Sequence, residues 1–326
     1  MSEPDVEPVL VEAGRNGYVE SRHRGSFVLL SPSGVDVAVG SVDEPMFPRS
    51  SLKPLQAVAM VEAGFPGRDE SLALACASHD GEAVHVSGAR ATLAAAGLDE
   101  AVLRCPPDLP GSREALLAWV GGGCGPAAIC HNCSGKHAAM VSTCASAGWP
   151  VDSYVDPSHP LQQAIRARLE SLAGPVTGVA VDGCGAPAFS VTLHGLASAF
   201  ASLATASSGA PALVVGAMRE FPVLLGGSER AVSALGAAVP GLICKEGAEG
   251  VWAAALPDGR AFAAKLADGG ARALPPLLTA ALRYWGCDGP VIERWTSADV
   301  LGGGRPVGSV TWSPELRALL SLQPAR

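Results

Sequence analysis

The stretch S-F-V-L-L-S-P-S-G-V-D-V-A-V, residues 26 to 39, starts as an apolar run, breaks at S-P-S-G and resumes with apolar and polar side chains in alternation. Proline presets φ and glycine frees it, so the tetrapeptide is turn chemistry and the flanking runs read as the two strands of a β-hairpin. A second hairpin stands near the other end of the chain: V-W-A-A-A-L (251–256), the turn P-D-G-R, and A-F-A-A-K-L (261–266). Between the hairpins the periodicity lengthens. Leu52, Leu55, Val58, Ala59 and Glu62 fit a helix stopped by Gly64 and Pro66, and further helices are predicted over 84–96, 112–119, 134–147, 159–173, 194–206 and 228–236. A short strand, G-V-A-V-D, leads into D-G-C-G-A-P at 182–187, and a late helix is expected within residues 268–286. Strands at both ends and helices between them close most simply as one antiparallel sheet covered by helices, an α+β fold. No internal repeat or long linker divides the chain, so residues 1–326 read as one domain.

Composition narrows the function classes. The chain has 326 residues, 48% of them hydrophobic, few aromatic, which suits a sizeable aliphatic core. A net charge of -8 argues against nucleic acid or an anionic membrane as partner. No apolar run approaches membrane-spanning length, and the start M-S-E-P-D-V-E-P-V-L lacks the basic and apolar regions of a signal peptide. Nine cysteines, an odd number spread over a large chain, read as reduced thiols in a cytoplasmic protein.

The lysines carry the chemistry. Of 23 basic residues only four are lysine: Lys53, Lys136, Lys245 and Lys265. A serine hydroxyl is a poor nucleophile until a base takes its proton. In Ser50-x-x-Lys53, at the start of a helix, both side chains fall on one face, and a buried lysine can give up its proton where an arginine cannot. Ser78, in C-A-S-H-D-G-E, is a second candidate nucleophile. Its neighbours His79 and Asp80 complete the letters of a triad, but adjacent residues point in different directions and a triad is a matter of spatial geometry. No G-x-S-x-G occurs, which counts against an α/β-hydrolase. Cys130-x-x-Cys133-x-x-x-His137 raises zinc. No second C-x-x-C completes a closed site, so the segment is either a partial site finished by a distant residue such as Cys244 or Cys184, or a set of small buried thiols.

Taken in order, F-P-R-S-S-L-K-P-L-Q, A-S-H-D-G-E, H-N-C-S-G-K-H-A-A-M, D-G-C-G-A-P, K-E-G-A-E-G-V and K-L-A-D-G-G-A-R resemble the asparaginase II family of the rhizobial, thermolabile type. The resemblance spans roughly residues 20 to 285. It implies a fold similar to serine β-lactamases and DD-peptidases, with a five-stranded antiparallel sheet built from both chain ends. It also implies hydrolysis of L-asparagine to L-aspartate and ammonia by a homodimer. The motifs carry two Ser-Lys tandems onto this chain, Ser50 with Lys53 and Ser78 with Lys265. A metal position, usually zinc, falls on Cys133 and Lys136, with Cys244 as the expected further cysteine; no organic cofactor is implied. Asp182 and Cys184 fall close to the substrate, and Arg49 is the candidate cation for the substrate carboxylate. S-D-N and K-T-G are absent, although K-E-G at 245–247 stands where the latter belongs. Two alternatives accompany this reading: a serine-dependent glutaminase or other amidase on the same fold, and a non-catalytic zinc- or ligand-binding protein. No role is assigned to Lys245, and residues 288–326 are expected to form a packed extension or a dimer contact.

Overall fold

A computed structural model describes residues 7–322. The first six residues, on which the reading of the acidic start partly rests, lie outside it, as do the last four. The chain opens with β1 (Val9–Arg15), β2 (Tyr18–Ser31) and β3 (Gly34–Val39), then the two-residue β4 (Pro45–Met46) and a 3-10 turn over Arg49–Leu52. Helices α1 (Lys53–Glu62), α2 (Asp69–Ala75), α3 (Ala83–Ala95), α4 (Arg113–Gly121), α5 (Ser134–Ala147) and α6 (Pro160–Ala173) follow. Short strands β5 (Val179–Val181), β6 (Pro187–Phe189) and β7 (Val191–Thr192) lead into α7 (Leu193–Ala204), α8 (Gly209–Glu220) and α9 (Ala231–Ala238). The chain then returns to the sheet through β8 (Ile243–Gly247), β9 (Val251–Ala255) and β10 (Ala261–Leu266). It ends with α10 (Leu274–Tyr284), α11 (Pro290–Thr296), β11 (Ala298–Gly302), β12 (Arg305–Trp312) and α12 (Pro314–Leu320).

Both hairpins form as the sequence predicts, and they meet. The sheet runs β11-β12-β1-β2-β10-β9-β8, with β3 also paired to β2, and every pairing is antiparallel. Five of its strands, β3-β2-β10-β9-β8, make the sheet expected from the two chain ends. Three more, β1, β12 and β11, extend it to eight. The extension depends on β2, whose 14 residues are long enough to pair first with β1 and then with β10 and β3. Gly25 marks the handover: a Cβ there would lie 2.2 Å from the Lys265 carbonyl oxygen, so only glycine lets β10 approach. The tail beyond residue 288 is part of this sheet. β12 pairs with β1, Ser313 Oγ donates to the Val9 carbonyl and the Trp312 indole N–H to the Pro276 carbonyl at 2.6 Å.

Helix α1 lies in the middle of the protein, packed against α5, α6 and α8, and its residues Lys53 to Met60 are all buried. Leu55, Val58 and Met60 are fully inaccessible, each worth about 2 kcal/mol of apolar burial. A helix so enclosed cannot drift, and it carries Lys53 into the core on its first turn. Among the described residues no single helix is long and apolar enough to cross a membrane.

Candidate active site

The candidate site forms where the turn before α1 meets the end of β8. Arg49 has φ +55°, the left-handed region that costs a non-glycine residue about 1–2 kcal/mol. Ser51 Oγ closes the turn by donating to the Pro48 carbonyl at 2.8 Å. On the other side Gly247 presses flat against it, since a Cβ at that position would stand 2.1 Å from the Pro48 carbonyl oxygen. This close approach fixes the backbone of K-E-G beside Ser50 and gives a physical reason for the glycine.

Ser50 is half-buried and lines two spaces. One is a small polar recess shared with Arg49, Lys53, Gln56, Lys136 and Asp182. The other is a cavity of about 620 Å³ that it shares with Ser78. Its hydroxyl makes no hydrogen bond among the described residues. Lys53, three residues on, is buried (1% exposed), and its Nζ donates to Ser78 Oγ at 3.0 Å and also to the Ala77 carbonyl. The three neighbours Ser78, His79 and Asp80 fan apart, as adjacency in sequence requires. Ser78 faces Lys53, His79 Nε2 pairs with Ser134 Oγ at 2.9 Å, and Asp80 binds Arg230 at 2.6 Å.

The second expected tandem is not brought together. Lys265 Nζ donates to the carbonyls of Glu249 (2.6 Å) and Leu266 (2.7 Å) and lines a separate cavity of about 320 Å³ with Phe47, Arg49 and Ala188. The amine that meets Ser78 is therefore Lys53. Lys265 sits near the end of β10, held by its own strand and by the turn between β8 and β9, and it shares its cavity with Arg49 rather than with Ser78. Arg49 itself is paired: its Nε donates to Asp182 Oδ1 at 2.6 Å.

Lys245, without a role in the sequence reading, is fully buried on β8. Its Nζ donates to the Glu246 carbonyl at 2.8 Å and lies 3.2 Å from Glu246 Oε1. Burial, reinforced by the charges of Lys53 and Arg230, brings its pKa down to about 8 against the opposing pull of Glu246. Glu246 is also bound by Arg230 at 3.1 Å, so a network Lys245–Glu246–Arg230–Asp80 forms, of which Glu246 and Arg230 line the cavity. The sequence signal for it was the rarity of lysine in this chain.

Cys133, Lys136 and Cys184 form a buried cluster. Lys136 Nζ donates to Cys184 Sγ at 3.1 Å. The hydrogen bond from Cys133, aided by Lys136 and His137, holds the Cys184 thiol well below its ordinary range, while Cys133 is pushed up as the partner that keeps its proton. Burial alone would lower Lys136, but the sulfurs of Cys184 and Cys133 outweigh it and raise the amine. His137 Nδ1 pairs with the Tyr154 hydroxyl at 2.6 Å, leaving its buried Nε2 without a hydrogen-bond partner among the described residues. Two sulfurs and an amine are soft N/S donors of the kind zinc takes. Among the described residues no three His, Cys, Asp or Glu side chains converge as a metal site on their own. The expected further cysteine is not there. Cys244 lies on β8 and donates to the Val232 carbonyl at 3.6 Å, and burial raises its pKa to about 12. The cysteine that joins Cys133 and Lys136 is Cys184, from the D-G-C turn.

The family model for L-asparaginase II matches residues 11–312. A search of curated proteins by sequence returns no match. Among solved structures the chain is similar to a β-lactamase from Mycobacterium bovis (16% identity, TM-score 0.43, covering 76% of this chain and 88% of that one). It is similar also to a putative β-lactamase from Bacteroides dorei DSM 17855 (15% identity, TM-score 0.43, covering 79% and 93%).

Proposed function

The chain belongs to the L-asparaginase II family, whose members act on small-molecule amides, and from that membership and the Ser50 site we propose that it hydrolyses L-asparagine to L-aspartate and ammonia. The observation that carries the mechanism is the 3.0 Å contact between Lys53 and Ser78 beside an unbonded Ser50 on the same cavity. Ser50 Oγ attacks the side-chain amide carbon and passes its proton to the Lys53 amine, a step that requires the amine to have given up its own proton first. Lys53 hands a proton through Ser78 to the amide nitrogen, the C–N bond breaks, and ammonia leaves an aspartyl ester on Ser50. Water then attacks the ester, its proton returns along the same path, and aspartate departs. Backbone N–H groups of the Ser50 turn and of the adjoining Gly247 segment supply the oxyanion donors; each such donor is worth about 10²- to 10³-fold in rate.

In this reading the Arg49–Asp182 pair opens to receive the substrate head group, the guanidinium taking the α-carboxylate and Asp182 the α-ammonium. Lys265, across the neighbouring cavity from Arg49, adds positive potential for the same carboxylate. Zinc would be held by Cys133, Lys136 and Cys184, the lysine as neutral amine, and would supply a Lewis acid that orients substrate. Homodimeric assembly and a cytoplasmic location complete the proposal. Acid-quenching the enzyme during asparagine turnover and mapping its peptides by mass spectrometry tests the mechanism. The expected product is an aspartyl ester on the peptide bearing Ser50; an ester on Ser78 instead would move the nucleophile.

A further inference from the structure

The cavity that Ser50 and Ser78 share is far larger than ammonia needs. At about 620 Å³ it has room for a substituent of amino-acid size or more on the leaving nitrogen, and its lining is chemically specific. Val232, Trp252, Leu274 and Pro275 give it an apolar floor. Glu246 Oε2 and the indole N–H groups of Trp252 and Trp295 are buried polar atoms with no hydrogen-bond partner among the described residues, and all three residues line this space. An acceptor and two donors left unsatisfied on residues of one cavity wall are costly unless something else bonds them.

At the rim stands Arg272. Its Nε donates to His23 Nε2 at 3.0 Å, and His23 Nδ1 is held by Asp268 Oδ2 at 2.6 Å. The chain Asp268–His23–Arg272 therefore fixes the guanidinium through Nε. Its terminal amino groups meet no carboxylate among the described residues. Arg230, also on the cavity, is by contrast already bound to Asp80 and Glu246. A pre-oriented guanidinium with its bidentate face open is a receptor for a carboxylate.

We propose that this cavity receives the amine side of β-aspartyl amides whose nitrogen carries an amino acid, so that the enzyme also cleaves β-aspartyl dipeptides. The inference rests on the Ser50 acyl-transfer reading and extends it to a second substrate class. The bond broken is the amide C–N between the aspartyl side-chain carbonyl and the second residue's α-nitrogen, and the bond formed is the Ser50 ester. The Ser50 proton travels through Lys53 and Ser78 to the departing α-amine, and one water then releases aspartate. The second residue's α-carboxylate meets Arg272, its side chain lies over the apolar floor, and its α-amine leaves toward Glu246.

The test measures, on the purified full chain, amine release from β-aspartyl-leucine, N4-propyl-asparagine and L-asparagine. β-Aspartyl-leucine is expected to be cleaved with higher kcat/KM than the propyl amide, which lacks the carboxylate. Arg272→Met is expected to narrow that preference about tenfold through KM, and Arg272→Lys to restore part of it, as loss and partial return of a single ion pair require. Hydrolysis of asparagine without cleavage of either substituted amide overturns the inference and leaves the asparaginase reading intact. Cleavage of the dipeptide without ammonia release from asparagine supports it and replaces that reading. If no amide is hydrolysed, both fall. A preference unchanged by Arg272→Met removes the carboxylate receptor and with it the dipeptide assignment.

Discussion

Lys53 Nζ reaches Ser78 Oγ at 3.0 Å across 25 residues of sequence, from the first turn of a helix enclosed on every side. The buried first turn of α1 keeps the amine within reach of Ser78. Ser78 is therefore the predicted relay between Lys53 and the leaving nitrogen. Ser78→Ala is expected to reduce kcat for asparagine about 10²-fold or more, the scale of losing one proton-transfer group, with little change in KM. Steady-state kinetics on the folded variant check this.

Gly247 holds the turn and the sheet together by having no side chain. Gly247→Ala places a Cβ 2.1 Å from the Pro48 carbonyl oxygen, so either β8 or the Ser50 turn must shift. The expected cost is about 1–3 kcal/mol in stability, together with a fall in kcat larger than stability alone explains. Urea denaturation and ammonia release, measured on one preparation, separate the two effects.

The thiol cluster predicts which cysteine matters for metal. Cys184→Ser is expected to lower bound zinc in protein dialysed against the ion, whereas Cys244→Ser, altering a thiol bound to the Val232 carbonyl on β8, should leave it unchanged. Elemental analysis of the two variants reads the difference directly, and the opposite pattern would return the site to Cys244.

Lys245 gives a pH signature. Its folded pKa is lowered to about 8 from an ordinary 10.5, so between those values the unfolded chain binds the extra proton and stability gains as pH rises. Below about pH 8 both states are protonated and the full penalty of a buried ammonium is present. Lys245→Met should therefore stabilise the protein more at pH 7.5 than at pH 10, by about 2–3 kcal/mol of differential effect. Denaturant midpoints of both proteins at the two pH values measure it.

The fold was legible where strands and turns obey local rules. Both hairpins and, α2 apart, the helices from Lys53 to Ala173 follow from alternation, 3.6 periodicity and Gly/Pro stops. β1 and β12 were not, because each becomes a strand only through its partner, joining residues nearly three hundred apart. α8 was hidden by S-S-G-A-P, whose glycine and proline sit in the helix's first turn and read as a connector. At the site, Ser50, Lys53 and Ser78 were visible as rare lysine and motif letters, and the fold brings Lys53 to Ser78 and sets both serines on one cavity. Their pairing was not, since Lys265 and Lys53 offer the same amine and only the fold decides which one reaches Ser78. Cys184 against Cys244 is the same case: two buried thiols, told apart only by which loop the D-G-C turn brings beside Lys136. Arg272 carried no local signal at all, since its orientation comes from His23 on β2.

The mechanism proposed for asparagine hydrolysis stands or falls with Ser50 as the nucleophile activated by Lys53. Ammonia release from L-asparagine by the wild-type protein, beside Ser50→Ala and Lys53→Met, tests it most directly. The predicted result is turnover by the wild type and loss of nearly all of it in both variants, with circular dichroism showing each still folded. An active Ser50→Ala protein, or a folded wild type that releases no ammonia from asparagine, would contradict it.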